Sequence, residues 1–196
     1  MNYLAHVYLS GENIDLAIGN FIADYVKGNY YKKLNINWQK GILLHTFIDS
    51  YTDFHYIFRE HSKIFFNSHR HYSRVLIDIF YDHFLAKNWK KYSQISLVNF
   101  EYDFCKSLTK NLNKFPNEIS NKIRFFINQN WFTKYSSIKG LTYILEKMDN
   151  KTQFDSNLVT SIEKFISFAP EMESQFFIFF KDMINNVNIY FKEKEL

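Results

Sequence analysis

The stretch Gly41 to Phe58, GILLHTFIDSYTDFHYIF, carries His45, Asp49 and Asp53 at successive steps of four. At about 100° per residue these three share one side of a helix, while Leu43, Leu44, Phe47, Ile48 and Tyr51 take the remaining arc. Side chains on adjacent turns converge, as paired metal ligands or an acid–base pair must. An amphipathic helix with a plain polar face gives the same separation. Residue choice is what sets this stretch apart: it holds no Lys, Arg or Glu, the long residues that usually coat a solvated helical face. Metal or acid–base chemistry and a plain polar face both stay open on this stretch alone.

A second group lies in RVLIDIFYDHFLAKNW, Arg74 to Trp89, where Asp78 and Asp82 are four apart and His83 follows directly. Apolar residues occupy nearly the whole circumference, which marks a buried helix. Carboxylates there require a cation, hydrogen-bond donors or a proton. A salt bridge to Arg70 or Arg74 would serve; a divalent metal shared with the first group is the reading favoured here. In AIGNFIADYVKGN, Asp24 is the only charged residue between Asp15 and Lys27, with Asn20 four positions earlier. His6 in YLAHVYL stands alone on an apolar background. Each of these two has a plain structural reading as a local cap or a core histidine. Together the groups point to a helical hydrolase whose core helices offer His and Asp to a divalent cation. The carboxylate-rich mixture suits Mn or Mg better than a thiolate-type zinc site. Such a cation polarises a phosphoryl oxygen and acidifies its water, so a phosphate ester is the matching substrate.

The elements that position these residues are read as helices over 12–27, 38–54, 56–66, 70–89, 96–111, 117–133, 137–148 and 157–192. Ser10, Asn37 and Asn157 are the expected caps, Pro116 the entry to the sixth helix, and Pro170 the expected break in the last. Only 5 Gly and 2 Pro in 196 residues disfavour a turn-rich sandwich or barrel, so one all-α bundle domain is expected over 1–196. Aromatic residues make up 20% of the chain, so large rings must build much of the core. The run ESQFFIFFKDMI reads as core packing in preference to a channel lining. Cys105 has no second thiol to pair with and reads as a buried structural residue. The amino-terminal segment lacks the pattern of a secretory signal, and no apolar run approaches the ~18 residues of a membrane span. A soluble cytoplasmic protein is expected. The net charge of +4 favours an acidic partner without naming one, and no helix-turn-helix, zinc-finger or RNP signature suggests nucleic acid.

The blocks MNYLAHVYLS, GNFIADYVKGN, GILLHTFIDSYTD and IDIFYDHFLAKNW, with a fainter NQNWFTKYSSIKGL, resemble the bacterial acyl carrier protein phosphodiesterases. The resemblance runs in order over most of the chain and fades after about Asn150. It implies removal of the 4′-phosphopantetheine arm from the serine of holo acyl carrier protein, and a distant kinship with the HD phosphohydrolases. It also implies a divalent metal, manganese or magnesium, held by Asp24, His45, Asp49 and Asp82. His6 or His83 would protonate the departing serine oxygen or orient the water, and Asp53 and Asp78 would orient a ligating imidazole. The adjacent pair runs Asp82-His83, the reverse of the usual HD order. Acyl carrier proteins are acidic, so Lys27, Lys32, Lys33, Arg70 and Arg74 are candidates for a docking surface. Two other readings remain open: a small phosphate ester or nucleotide as substrate, and a helical interaction module without catalysis.

Overall fold

The computed structural model describes residues 1–150 and 156–195. The helical periodicity becomes α1 (Tyr3–Leu9), α2 (Ile14–Ile22), α3 (Ile36–Phe54), α4 (Tyr56–His69) and α5 (Tyr72–Lys87). The second half forms α6 (Leu97–Asn111), α7 (Asn117–Ile127), α8 (Trp131–Tyr135), α9 (Ile138–Asp149) and α10 (Ser161–Lys194). Two 3-10 turns, Ala23–Tyr25 and Gly28–Lys33, join α2 to α3. No strand occurs among the described residues, so the all-α expectation holds. No described helix is long and apolar enough to cross a membrane.

Several boundaries differ from the sequence reading. The first helix, α1, was not expected, because seven residues are too few for a periodic signal. Asn13, not Ser10, caps α2 by accepting from the amides of Asp15 and Leu16. Ser10 ends α1 instead. Asn35 caps α3 through the Trp38 amide, which leaves Asn37 inside that helix. Asn157 adopts a left-handed conformation (φ 47°) before a 3-10 turn and makes no side-chain cap. Pro116 does open α7, while the expected sixth helix divides into α7 and α8. The expected break at Pro170 does not occur: α10 runs through it for 34 residues. Pro170 faces solvent, where water can satisfy the carbonyl it leaves unbonded, and buried Phe165, Met172 and Phe176 hold the helix on both sides. Part of the polar break expected at 148–157 lies outside the described residues.

Large rings build one contiguous core, as the composition demanded. Phe80 stacks on Phe165 at 4.0 Å, and Tyr81 meets Phe176 and Phe179 at 5.2 and 4.9 Å. Such pairs each add about 1 kcal/mol beyond the area they bury. Phe176, Phe179 and Phe180 are all fully buried, so the aromatic run of α10 is core packing. Cys105 is half-buried, and burial together with Glu101 pushes its thiol up to about 12.

The contact that matters most for the site is between α2 and α3. Gly19 and Gly41 face each other across it, and a methyl group on either would overlap the backbone of the opposite helix. The two helices therefore touch main chain to main chain. That closeness carries a carbonyl of α2 within reach of a side chain on α3.

Candidate metal centre

Three helices and one turn converge at the end of that contact. α1 supplies His6, α2 supplies Asn20, the following turn supplies Asp24, and α3 supplies His45 and Asp49. His6 and His45 are buried and stack face to face, with ring centroids 4.1 Å apart at 18°. Nε2 of His6 lies 3.1 Å from one oxygen of Asp49, and Nε2 of His45 lies 3.0 Å from the other. Asp24 reaches His45 Nε2 at 3.3 Å from the solvent side. One ligand atom from each of His6, His45 and Asp49 lies within 4.8 Å of the other two.

Asn20, fully buried, sets both imidazoles. Its Oδ1 lies 2.8 Å from Nδ1 of His6, and its backbone carbonyl lies 3.0 Å from Nδ1 of His45. Its Nδ2 donates to the His6 carbonyl and to Ser10 Oγ, which fixes which end of the amide is oxygen. Both rings must therefore donate from Nδ1, and in a neutral ring Nε2 is left as a bare lone pair. Each of those lone pairs faces oxygens: Asp49 and the Met1 carbonyl for His6, Asp49 and Asp24 for His45. Lone pair against carboxylate is repulsive unless a cation, either a proton or a metal ion, lies between them. This is the donor set and outer anchoring that metal-binding histidines use.

The electrostatics separate the two rings. Burial holds His6 down at about 4, against the upward pull of Asp49, so it is neutral at pH 7. Burial would also lower His45, but the hydrogen bonds it donates to Asp24 and Asp49 outweigh that and raise His45 to about 9. Burial works to raise Asp49, yet its bonds to His45 and His6 prevail and hold the carboxyl far below the usual range. Asp24 is lowered mainly by its bond to His45. Without metal, a proton on His45 therefore lies between its Nε2 and the carboxylates of Asp24 and Asp49.

Of the remaining expected site residues, Asp82 and His83 lie away from this cluster, while Asp53 and Asp78 share cavities with Asp24 and Asp49. Asp82 is fully buried, and its two oxygens accept the amides of Leu4 and Ala5 at 2.8 and 3.2 Å. It caps the first turn of α1 instead of joining His6, His45 and Asp49. Burial raises its carboxyl to about 7 against the pull of those amides. His83 binds the Tyr135 carbonyl at 2.6 Å and packs edge-on against Phe165; burial lowers its pKa. Asp78 pairs with the Met1 amino group at 2.7 Å, which lies 3.9 Å from Asp49. Asp53 pairs with Arg74 at 3.2 Å. Neither Asp53 nor Asp78 touches a ligating imidazole. Sequence reasoning noted Asn20 only as a neighbour of Asp24; its signal was the spacing Asn20–Asp24 in an otherwise apolar stretch.

Asp24, His45 and Asp49 open into a cleft of about 650 Å³ that runs along α3 to Asp53 and Arg74. Gly28 and Tyr31 of the second 3-10 turn form part of its wall. Lys27, Lys32 and Lys33 are exposed on that same segment. Arg70 lies at the end of α4 with its guanidinium over Phe66 at 5.9 Å.

The family model described as acyl carrier protein phosphodiesterase matches residues 1–183. A protein of that name from Photorhabdus laumondii is 28% identical over 185 residues, 94% of this chain and 93% of its own. One from Serratia proteamaculans is 26% identical over the whole of both chains. No solved structure matches. With residues 1–183 matched, and with His6, Asn20, Asp24, His45 and Asp49 all inside that span, this chain belongs to the acyl carrier protein phosphodiesterase family.

Proposed function

We propose that the protein is a metal-dependent phosphodiesterase that hydrolyses the 4′-phosphopantetheine arm from the serine of holo acyl carrier protein. The observation that carries the metal is the pair of imidazoles anchored through Nδ1 to Asn20 with both Nε2 atoms aimed at Asp49. His6, His45 and Asp49 would hold the ion, with Asp24 adding a carboxylate from the cleft side. Manganese or magnesium fits this nitrogen and carboxylate set. When bound, the ion supplies a polarised phosphoryl oxygen and a water acidic enough to act as nucleophile near neutral pH.

The chain's own residues do the rest. Asn20 keeps both rings in one tautomer and orientation. Asp49 neutralises charge between them. Asp24, 64% exposed, stands where a substrate phosphate enters and is ionised at neutral pH, so it can accept a proton from the attacking water. Water adds to phosphorus, the bond from phosphorus to the serine oxygen breaks, and 4′-phosphopantetheine leaves as a monoester. The serine oxygen takes its proton from solvent, since the cleft is open. His6 is committed to the ion, and His83 keeps its place in the core.

The family name and the charge layout support a carrier protein as substrate. Lys27, Lys32 and Lys33 are exposed on the segment that carries Gly28 and Tyr31 of the cleft wall, and would meet the acidic surface of such a carrier. The resemblance to HD phosphohydrolases enters as a shared chemistry of His and Asp on helices. Purified protein with Mn²⁺ is incubated with holo carrier protein, and the carrier's mass is followed. Loss of the phosphopantetheine mass is expected. An unchanged carrier alongside cleavage of a nucleotide or another small ester would replace this substrate assignment.

A further inference from the structure

The cleft has two ends, and only one is explained by the candidate metal centre. At the other end Arg74, in the first turn of α5, pairs with Asp53 of α3 through Nη1 at 3.2 Å. Resting on the phosphodiesterase reading above, we infer that Arg74 is the phosphate anchor of this cleft, released from Asp53 when a phosphate group enters between it and the metal centre.

Three observations carry this. First, the cleft is lined by the carboxylates of Asp24, Asp49 and Asp53, and Arg74 is the only lysine or arginine in its lining among the described residues. A phosphate group entering that field needs a fixed positive charge besides the ion. Second, the spacing fits. Asp53 is one helical turn beyond Asp49, about 6 Å along the axis, so a guanidinium at Asp53 stands one phosphate-sized step from the metal centre. Third, the existing pair is built to exchange. Both partners are about half exposed, 56% and 51%, and exposed pairs of this kind are weak. The contact engages one nitrogen of a guanidinium that carries five N–H donors, whereas a phosphate can take two of them in parallel. The base of the side chain is firm, since Leu76 and Ile77 of the same helix are fully buried. Arg70 differs: its guanidinium lies over Phe66, outside the cleft lining.

The test uses the intact protein loaded with Mn²⁺ and inorganic phosphate as the probe, with both affinities measured by calorimetry. Arg74→Gln is expected to weaken phosphate binding by about tenfold or more, the scale of a lost hydrogen bond to a charged group. It should leave Mn²⁺ affinity within about twofold, since the ion and phosphate have separate holders. Arg74→Lys should recover part of the loss, Asp53→Asn should tighten phosphate binding by freeing the guanidinium, and Arg70→Gln should change neither affinity. Wild-type protein that binds no phosphate, or Arg74→Gln protein that binds it as tightly as wild type, would overturn the inference. Failure of the broader reading looks different. Phosphate bound through Arg74 while holo carrier stays uncleaved would sink the substrate assignment and leave the anchor standing. Carrier cleavage with phosphate binding indifferent to Arg74→Gln would do the reverse.

Discussion

Two helices of this protein carry nearly the same pattern and use it in opposite ways. α3 presents His45, Asp49 and Asp53 at steps of four; α5 presents Arg74, Asp78 and Asp82 at the same steps, with His83 beside them. On α3 the imidazole and carboxylate atoms face one another and open on a cleft. On α5 the carboxylates face hydrogen-bond donors: Asp82 takes two amides of α1, and Asp78 takes an amino group. Residue type and spacing are alike. What decides the role is whether the acceptor atoms already have protons pointed at them. A carboxylate filled by N–H groups is a structural cap, and one opposed by lone pairs calls for a cation.

The comparison breaks most visibly at its two aspartates. Asp49→Asn should abolish carrier cleavage and lower Mn²⁺ affinity by more than the ~10²-fold that a merely supporting residue costs. Asp82→Ala should do the opposite. It strands two buried amides of α1 and should destabilise the fold by about 3 kcal/mol, read by denaturant unfolding. The molecules that remain folded should bind Mn²⁺ as wild type does. Equal losses of Mn²⁺ affinity in both variants would erase the distinction between the helices.

Asn20→Ala sharpens it further. This change removes the acceptor for His6 but keeps the backbone carbonyl that holds His45. Mn²⁺ affinity should fall by about 10- to 100-fold, less than on losing Asp49. The smallest effect is on pH dependence. His45 is raised from 6.5 to about 9, so its proton stabilises the metal-free fold fully below about pH 6.5, and that stability is lost as pH rises through 9. A metal ion must displace the same proton. Apparent Mn²⁺ affinity should therefore climb by about tenfold per pH unit up to pH 9, with one proton released, as calorimetry in buffers of different ionisation enthalpy would show.

Much of this was legible in the chain. The all-α class and the α3 stripe could be named from residue choice and spacing, whereas His6 and Asp24 came in as companions to His45 and Asp49 only through the family resemblance. The role of Asp82 could not, because its partners are main-chain amides 77 and 78 residues away, and a backbone N–H has no sequence signature. Asn20 was obscured for a related reason: a neutral amide in an apolar stretch looks like background until the rings it holds are seen. α1 escaped because a helix so short draws its stability from packing and from the cap that Asp82 provides. The weak pair Asp53–Arg74 bridges two helices whose register no local pattern specifies.

Pulsed electron paramagnetic resonance of the Mn²⁺-loaded protein tests the central claim most directly, because it counts imidazole nitrogens on the ion. Two should couple in wild type, His6→Ala and His45→Ala should each remove one, and His83→Ala should retain both. A spectrum without imidazole coupling, or one altered by His83→Ala and indifferent to His6→Ala and His45→Ala, would contradict a metal centre built on α1 and α3.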